Sequence, residues 1–303
     1  MKKIFYAVAA AAAVALMRPV PAAADAWVNG GVREYTGNQN YNGINAFGQV
    51  GFGDFSLRPS FGSFHSDVSS GTLNTYALRV GYDTKLFALG LSGGGTPSVN
   101  GYSNKFGGVD ATFSLTPSGE GARQRINGRE QSSGPAQGAG LARIDIGGSV
   151  NYTSHSDHVG SAGQALGSVA RLGQTDLTAS VGVSILESLL SVDVTKSLYD
   201  KKPADLNMRT PRVQNIIGLA QVAQGFPNSS TNVKLLFGGT PLIKPYVGYT
   251  HTTFQAGQPG ANAYNAGVSA ELQILEVSAN WEHYVQSGQS AHDYVGLGAG
   301  VRF

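Results

Sequence analysis

The stretch Tyr294-Val295-Gly296-Leu297-Gly298-Ala299-Gly300-Val301-Arg302-Phe303 decides how the rest of this 303-residue chain is read. Side chains alternate across an extended strand. Val295, Leu297, Ala299, Val301 and Phe303 therefore share one face, and Tyr294, Gly296, Gly298, Gly300 and Arg302 share the other. One face is apolar and the other small or polar. About ten residues is also the length a tilted strand needs to cross a bilayer.

The same alternation recurs along the chain. Tyr76, Leu78, Val80 and Tyr82 share a face, with Arg79 and Gly81 behind them. Leu177, Ala179, Val181, Val183 and Ile185 alternate with Thr178, Ser180, Gly182 and Ser184. Ile144, Ile146, Val150 and Tyr152 alternate with Asp145, Gly147, Ser149 and Asn151. Tight turns such as Gly53-Asp54 and Asp83-Thr84-Lys85 separate such runs. Pro59 falls on an apolar face and removes one ladder donor. Fourteen strands result, with twelve to sixteen allowed.

Composition fits this reading. Charged residues make up 13% of the chain, against ~25% in soluble domains. Glycine contributes 42 residues, about twice the usual ~7%. Low charge without a long apolar run is expected when every second residue meets lipid and its neighbours line a polar interior. A soluble β-sandwich would not explain apolar faces that persist through every strand.

The N-terminus sets the compartment. Lys2 and Lys3 precede an apolar run from Ile4 to Met17, and Ala22-Ala23-Ala24 follows Pro21. A basic start, a short apolar core and small residues at its end describe a secretory signal peptide over residues 1–24. The run is shorter than the ~20 residues of a spanning helix. Without Lys2, Lys3 and Arg18, the 21 basic residues fall to 18 against 19 acidic ones, a net charge of −1. Nucleic acid, which wants a basic patch, is an unsuitable partner. The chain has no Cys, so disulfides and thiolate metal sites are excluded.

With its signal peptide, its repeated strands and its last residue Phe303, the chain resembles Gram-negative outer-membrane β-barrel proteins of the porin kind. The resemblance implies an all-β fold, a closed antiparallel transmembrane barrel over residues 25–303 in the outer membrane. It implies outer-membrane lipid and the barrel-assembly machinery as partners, with Phe303 as the assembly signal. Whether copies form a homo-oligomer is open.

Two segments break the pattern. Residues 116–140 read as a long polar loop. Strict alternation places it on the periplasmic side, whereas long loops in the family are usually extracellular, so the strand count is open by one there. Residues 200–230 form a second irregular stretch, in which Val213, Ile216, Ile217, Ala220 and Ala223 recur at helical spacing. A short helix at the barrel mouth and two more strands are both open.

Charge at the lipid face costs ~2–4 kcal/mol at midplane. The polar faces are therefore expected to line the lumen with Arg33, Arg58, Arg79, Arg143 and Lys244 against Asp110, Asp145, Asp193, Glu271 and Glu282. These residues either create a constriction whose field filters solutes or pair with one another and plug the lumen. Fourteen strands exceed the ~8 whose interior side chains fill by themselves, which favours a wet passage. Balanced signs imply weak ion selectivity.

His155-Ser156-Asp157-His158 and His65-Ser66-Asp67 are the clusters nearest to catalysis, and both read better as polar loops. Neighbours on a strand face opposite ways, so His155 and Ser156 cannot share a proton along one strand. His155, Asp157 and His158 lack the second cluster that a metal site needs, and no cofactor motif is present. Trp27, Trp281, Tyr249 and Tyr264 fit interface anchoring.

The expected function is a porin-like channel for passive diffusion of small hydrophilic solutes, without enzymatic activity. A closed barrel with a structural or surface-interaction role is the alternative. An outer-membrane lipid-modifying enzyme or a transporter of hydrophobic ligands is the third.

Overall fold

The computed structural model describes residues 26–67, 71–84, 86–115, 142–158, 169–185, 188–203, 226–238, 242–255, 257–272 and 274–302. The signal-peptide segment, the 116–140 loop, the helical-spacing residues 213–223 and Phe303 lie outside them.

The fold is a closed barrel of fourteen antiparallel strands in sequence order. The first seven are β1 (Ala26–Gly37), β2 (Tyr41–Phe52), β3 (Phe55–His65), β4 (Leu73–Asp83), β5 (Phe87–Val99), β6 (Tyr102–Leu115) and β7 (Ala142–His158). The rest are β8 (Val169–Ile185), β9 (Ser188–Tyr199), β10 (Pro227–Leu236), β11 (Ile243–Phe254), β12 (Ala261–Leu272), β13 (Leu275–Gln286) and β14 (His292–Arg302). Each strand pairs with its sequence neighbours, and β1 pairs with β14 from Asn29↔Arg302 to Gly37↔Tyr294. No strand is left with an unpaired edge, so wall backbone groups are satisfied without water.

The start of β1 and the end of β14 lie at one rim, here the terminal rim. The β6–β7 connection joins strand ends at this rim, as strict alternation requires. At the opposite rim, β1 and β2 are joined through Gln39 and Asn40, both at positive φ, with Tyr41 N–H donating to the Asn38 carbonyl at 3.2 Å. That is a primed hairpin turn, whose twist matches the strands it joins. Asn100-Gly101, also at positive φ, makes the two-residue β5–β6 link.

Three expectations need correction. The irregular stretch after Asp200 ends before Pro227, because Pro227–Ser230 begin β10 and pair with β9 and β11. The β9–β10 pairing also leaves no room for another strand between them. His155–His158 are not a loop but the last residues of β7, held by β6 and β8 on either side. Trp27 points inward, not to the interface, since its register partner is Gly51 on the inner face of β2. Pro59 has the expected local effect: β2–β3 pairing is present on both sides of Pro59 and Arg58 and missing at those two positions.

The outer surface is apolar. Leu78, Val109, Ile146, Val181, Val247 and Leu297 are exposed on strand midsections. Phe52, Phe55, Tyr82 and Phe87 form an arc of aromatics on β2–β5 at the terminal rim, with Phe55 and Tyr82 centroids 4.9 Å apart. Tyr76, Tyr152, Tyr249, Tyr264 and Trp281 are exposed on the outward face toward the opposite rim. A continuous apolar belt of this kind is far beyond the patches that water tolerates on a monomer. Tilted strands of this length span roughly 25 Å, a hydrocarbon thickness. The wall is thus apolar outside and polar within.

Leu297, at the middle of β14, is 64% exposed. Leu297→Arg should cost about 2–4 kcal/mol of folding into phospholipid vesicles. Urea titration of vesicle-inserted protein measures it, and an unchanged midpoint would remove Leu297 from the lipid face.

Candidate functional site

The inner face carries the polar half of each strand. Register places all ten expected charges there: Arg33, Arg58, Arg79, Asp110, Arg143, Asp145, Asp193, Lys244, Glu271 and Glu282. What they do there depends on glycine. Gly81 and Gly90 are opposite each other on β4 and β5. A Cβ at Gly90 would lie 2.3 Å from Arg79 Nη2 and 2.3 Å from Asp110 Oδ2. The two bare backbones let Arg79 lie flat along the wall and reach Asp110 on β6. Its Nε donates to Oδ2 at 3.1 Å and its Nη2 to Oδ1 at 2.8 Å. This is a bidentate pair, the strong and geometrically specific form.

Arg143–Asp145 and Lys244–Glu271 are further ion pairs of the inner face. Arg143 Nε donates to Asp145 Oδ1 at 2.7 Å, and Ser114 Oγ donates to the same oxygen. Arg143 Nη2 also reaches Ser114 Oγ at 3.3 Å. Lys244 Nζ lies 2.9 Å from Glu271 Oε1, and both side chains are partly exposed. Six of the ten charges are thereby matched in pairs. Arg58 stacks its guanidinium over Phe47, 4.3 Å from the ring centroid. Arg33 lies over Gly298 of β14, where a Cβ would come within 2.7 Å of its Cγ. Asp193 and Glu282 are buried on the inner face, Glu282 between Asn265 and Tyr294 in register.

Asp83, Asp157, Asp176, Glu276 and Lys234 also face inward. Alternation past Leu177 and Val233 marks Asp176 and Lys234. Asp83 and Glu276 abut turns, and β4 and β13 run further into those turns than turn chemistry suggests. With these five, the described inner face holds nine acidic and six basic side chains, Arg302 at the end of β14 aside.

Exposure varies along the lumen. At mid-height Asn45 is exposed, and Arg33, Ser60, Asp110, Asn151, Thr178, Asn265 and Asn280 are partly exposed. Partial exposure continues to the terminal rim along Lys234, Tyr246, Lys244, Glu271, Glu276 and Ser278. At the opposite rim the inner face is buried. Tyr35, Tyr41, Phe64, Phe254, Tyr284 and Tyr294 pack with Ala261 and Ala263 into one apolar cluster. Tyr41 meets Tyr294 edge-on at 5.2 Å and Phe64 at 6.2 Å. Aromatic residues on a nominally polar face carried no sequence signal.

Across the barrel from that cluster runs a polar chain. Asn104 Nδ2 donates to Tyr102 Oη at 3.1 Å, and Tyr102 Oη is 2.9 Å from His155 Nδ1. His155 Nε2 is 3.1 Å from Gln174 Oε1, Gln174 Nε2 donates to Asp176 at 2.9 Å, and Ser197 Oγ donates to Asp176 Oδ1 at 2.6 Å. Four neighbouring strands are laced together by side chains. His155 faces inward and Ser156 outward, so they are not a nucleophile and base. Asp67 of the other His-Ser-Asp run accepts from Asn40 Nδ2 at 2.9 Å and ties two loops together.

No protein-family model matches the chain, and no curated protein does. Among solved structures it is similar to CdiB from Acinetobacter baumannii, at 10% identity and a TM-score of 0.49 over 92% of this chain and 60% of that one. This chain thus spans 60% of the length of CdiB. It is similar to the CymD monoaromatic hydrocarbon channel, at 9% identity and 0.48 over 92% and 88%. It is similar also to the NanC porin, at 12% identity and 0.44 over 90% and 99%. With scores this low, the fold rests on the strand order and register described above.

Arg79→Ala and Asp110→Ala should each destabilise the barrel, and the double variant should lose about 1–3 kcal/mol less than their sum. Gly90→Val should match the single variants by removing the floor on which the pair lies. Additive losses would show that the pair contributes nothing.

Proposed function

We propose that this chain is an outer-membrane barrel that conducts small hydrophilic solutes passively. The observation that carries the reading is the ring of exposed and partly exposed polar side chains at mid-height, from Asn45 and Ser60 round to Asp110, Thr178 and Asn265. A lumen filled by its own side chains would bury them. Fourteen strands leave space that inward residues do not fill, and the flat-lying Arg79, Arg143 and Arg33 keep out of that space. The terminal rim is taken as periplasmic, as an even strand count with β1 starting and β14 ending at that rim suits. Solute then passes between a wet periplasmic vestibule at Lys244, Glu271 and Glu276 and a narrow outer mouth.

The buried opposite rim favours a second reading, a barrel closed at its outer mouth. With the aromatic cluster and the His155 chain, that rim is the most buried part of the described inner face. Purified full-length protein in a planar bilayer separates the two. Stable open steps support conduction, and silence at all voltages supports the closed barrel.

Among the described inward side chains acids outnumber bases nine to six, which favours weak cation selectivity in an open pore. Glu276→Lys, at the wet end of the lumen, should move the reversal potential in a salt gradient toward anions. An unchanged potential would take Glu276 out of the conducting path.

A further inference from the structure

The outward face carries few full charges, and they are sorted. Among strand residues with described side chains, Lys105, Arg171, Lys196, Glu34 and Asp293 are the ones that face outward. All five lie within three residues of the strand end at the opposite rim. None lies at the terminal rim, where the outward face ends in Phe52, Phe55, Tyr82, Phe87 and Ile185. The signs are also separated around the circumference. Glu34 and Asp293 flank the β1–β14 seam, and Asp293 is taken up by Trp281 Nε1 at 3.1 Å and His283 Nδ1 at 2.9 Å. Lys105, Arg171 and Lys196 stand on β6, β8 and β9, half-way round the wall.

The basic arc is exposed and has a lipid-facing floor. Lys105, Arg171 and Lys196 are all exposed, as is Lys201, whose Nζ donates to the Arg171 carbonyl at 3.3 Å. Lys196 Nζ has a neutral partner, Asn228 Oδ1 at 2.7 Å. The acid within the arc is Asp200, whose carboxylate accepts the Gly173 N–H at 2.8 Å. Lys105 and Arg171 are two strands apart, about 10 Å across the wall. On the same face Tyr152 and Leu177 are exposed nearer mid-height than Lys105 and Arg171, with Leu177 level with Lys196 and the exposed Leu198 between Lys196 and the rim. Cations above an apolar, aromatic surface match an amphiphile with anionic headgroup and hydrocarbon tails.

We infer that the β6–β9 arc at this rim is a docking surface for a phosphate-bearing lipid of the adjoining leaflet. The inference rests on the membrane reading above and adds a ligand class and a place on the circumference. Arg171 and Lys105 take the phosphates, Arg by its planar fork and Lys as a point charge, and the acyl chains lie against Tyr152, Leu177 and Leu198. A soluble polyanion or an acidic protein would use the cations and leave the apolar floor uncovered. The lipid uses both.

The test uses full-length, detergent-purified protein and native mass spectrometry, with diphosphorylated lipid A and its dephosphorylated form as probes. The wild-type chain should retain the phosphorylated lipid and release the other. The triple variant Lys105→Gln, Arg171→Gln, Lys196→Gln should retain about ten-fold less or lower still, while Glu34→Gln retains as much as wild type. Leu177→Ser should weaken retention with every charge intact. Equal retention of the two lipids, or a triple variant that binds like wild type, would overturn the proposal. So would a Leu177→Ser variant with full retention, which would point to a soluble polyanion. Vesicle insertion of each variant is measured in parallel. A wild-type chain that fails to insert defeats the membrane reading itself, whereas insertion without phosphate-dependent retention defeats only the docking surface.

Discussion

Everything in this wall depends on the ladder between β1 and β14. The first and last strands meet over Asn29↔Arg302 to Gly37↔Tyr294, and without that seam two edges would face a solvent that offers no hydrogen bonds. An unpaired backbone group in hydrocarbon costs several kcal/mol, so an open fourteen-strand sheet would be untenable there. The seam also explains the small inner face of β14. A Cβ at Gly296 would strike Tyr35, and one at Gly298 would strike Arg33. The glycines leave room for the large inward side chains of β1, so the two strands can meet in register. Closure thus comes from complementary sizes as much as from hydrogen bonds.

The same device organises the lumen. Side chains that would cross the interior lie instead along the wall, on glycine floors. Arg79 over Gly81 and Gly90 is one case, and Trp27 over Gly51 and Tyr246 over Gly267 are others. Part of the high glycine content is therefore a property of the inner surface. It also bears on electrostatics. A buried charge held flat beside its counterion projects little field into the lumen, whereas a partly exposed side chain is nearer the solute's path. The inner face has both kinds, and the second kind is concentrated at the terminal rim.

Much of this was legible because strand periodicity has only two outcomes. Once Leu177 faces lipid, Asp176 and Thr178 face the lumen, and the ten inward charges follow from similar steps. The strand count followed from counting those runs. Three features were not legible, each for a physical reason. The Arg79–Asp110 pair joins strands that are not neighbours, so it depends on register and on the glycine between them. Trp27 belongs to a weakly amphipathic strand, and only its pairing with Gly51 decides its side. The inward cluster of Tyr35, Tyr41, Tyr284 and Tyr294 defeats a rule that sends aromatics to the lipid interface. Tyr and Phe satisfy that rule outside and pack with one another inside, and hydropathy does not distinguish the two.

The wall is uniform in backbone and polarised in side chains. At the terminal rim the outer face is aromatic and uncharged while the inner face is charged and partly wet. At the opposite rim this reverses: the outer face carries the charges and the inner face is aromatic, hydrogen-bonded and buried. A symmetric tube between two equivalent aqueous phases has no use for such a reversal. It fits a membrane whose two surfaces differ, with neutral contacts on one side and anionic headgroups on the other. The two rims therefore differ on both faces of the wall: partly exposed charge lies inside at one end, and exposed charge lies outside at the other.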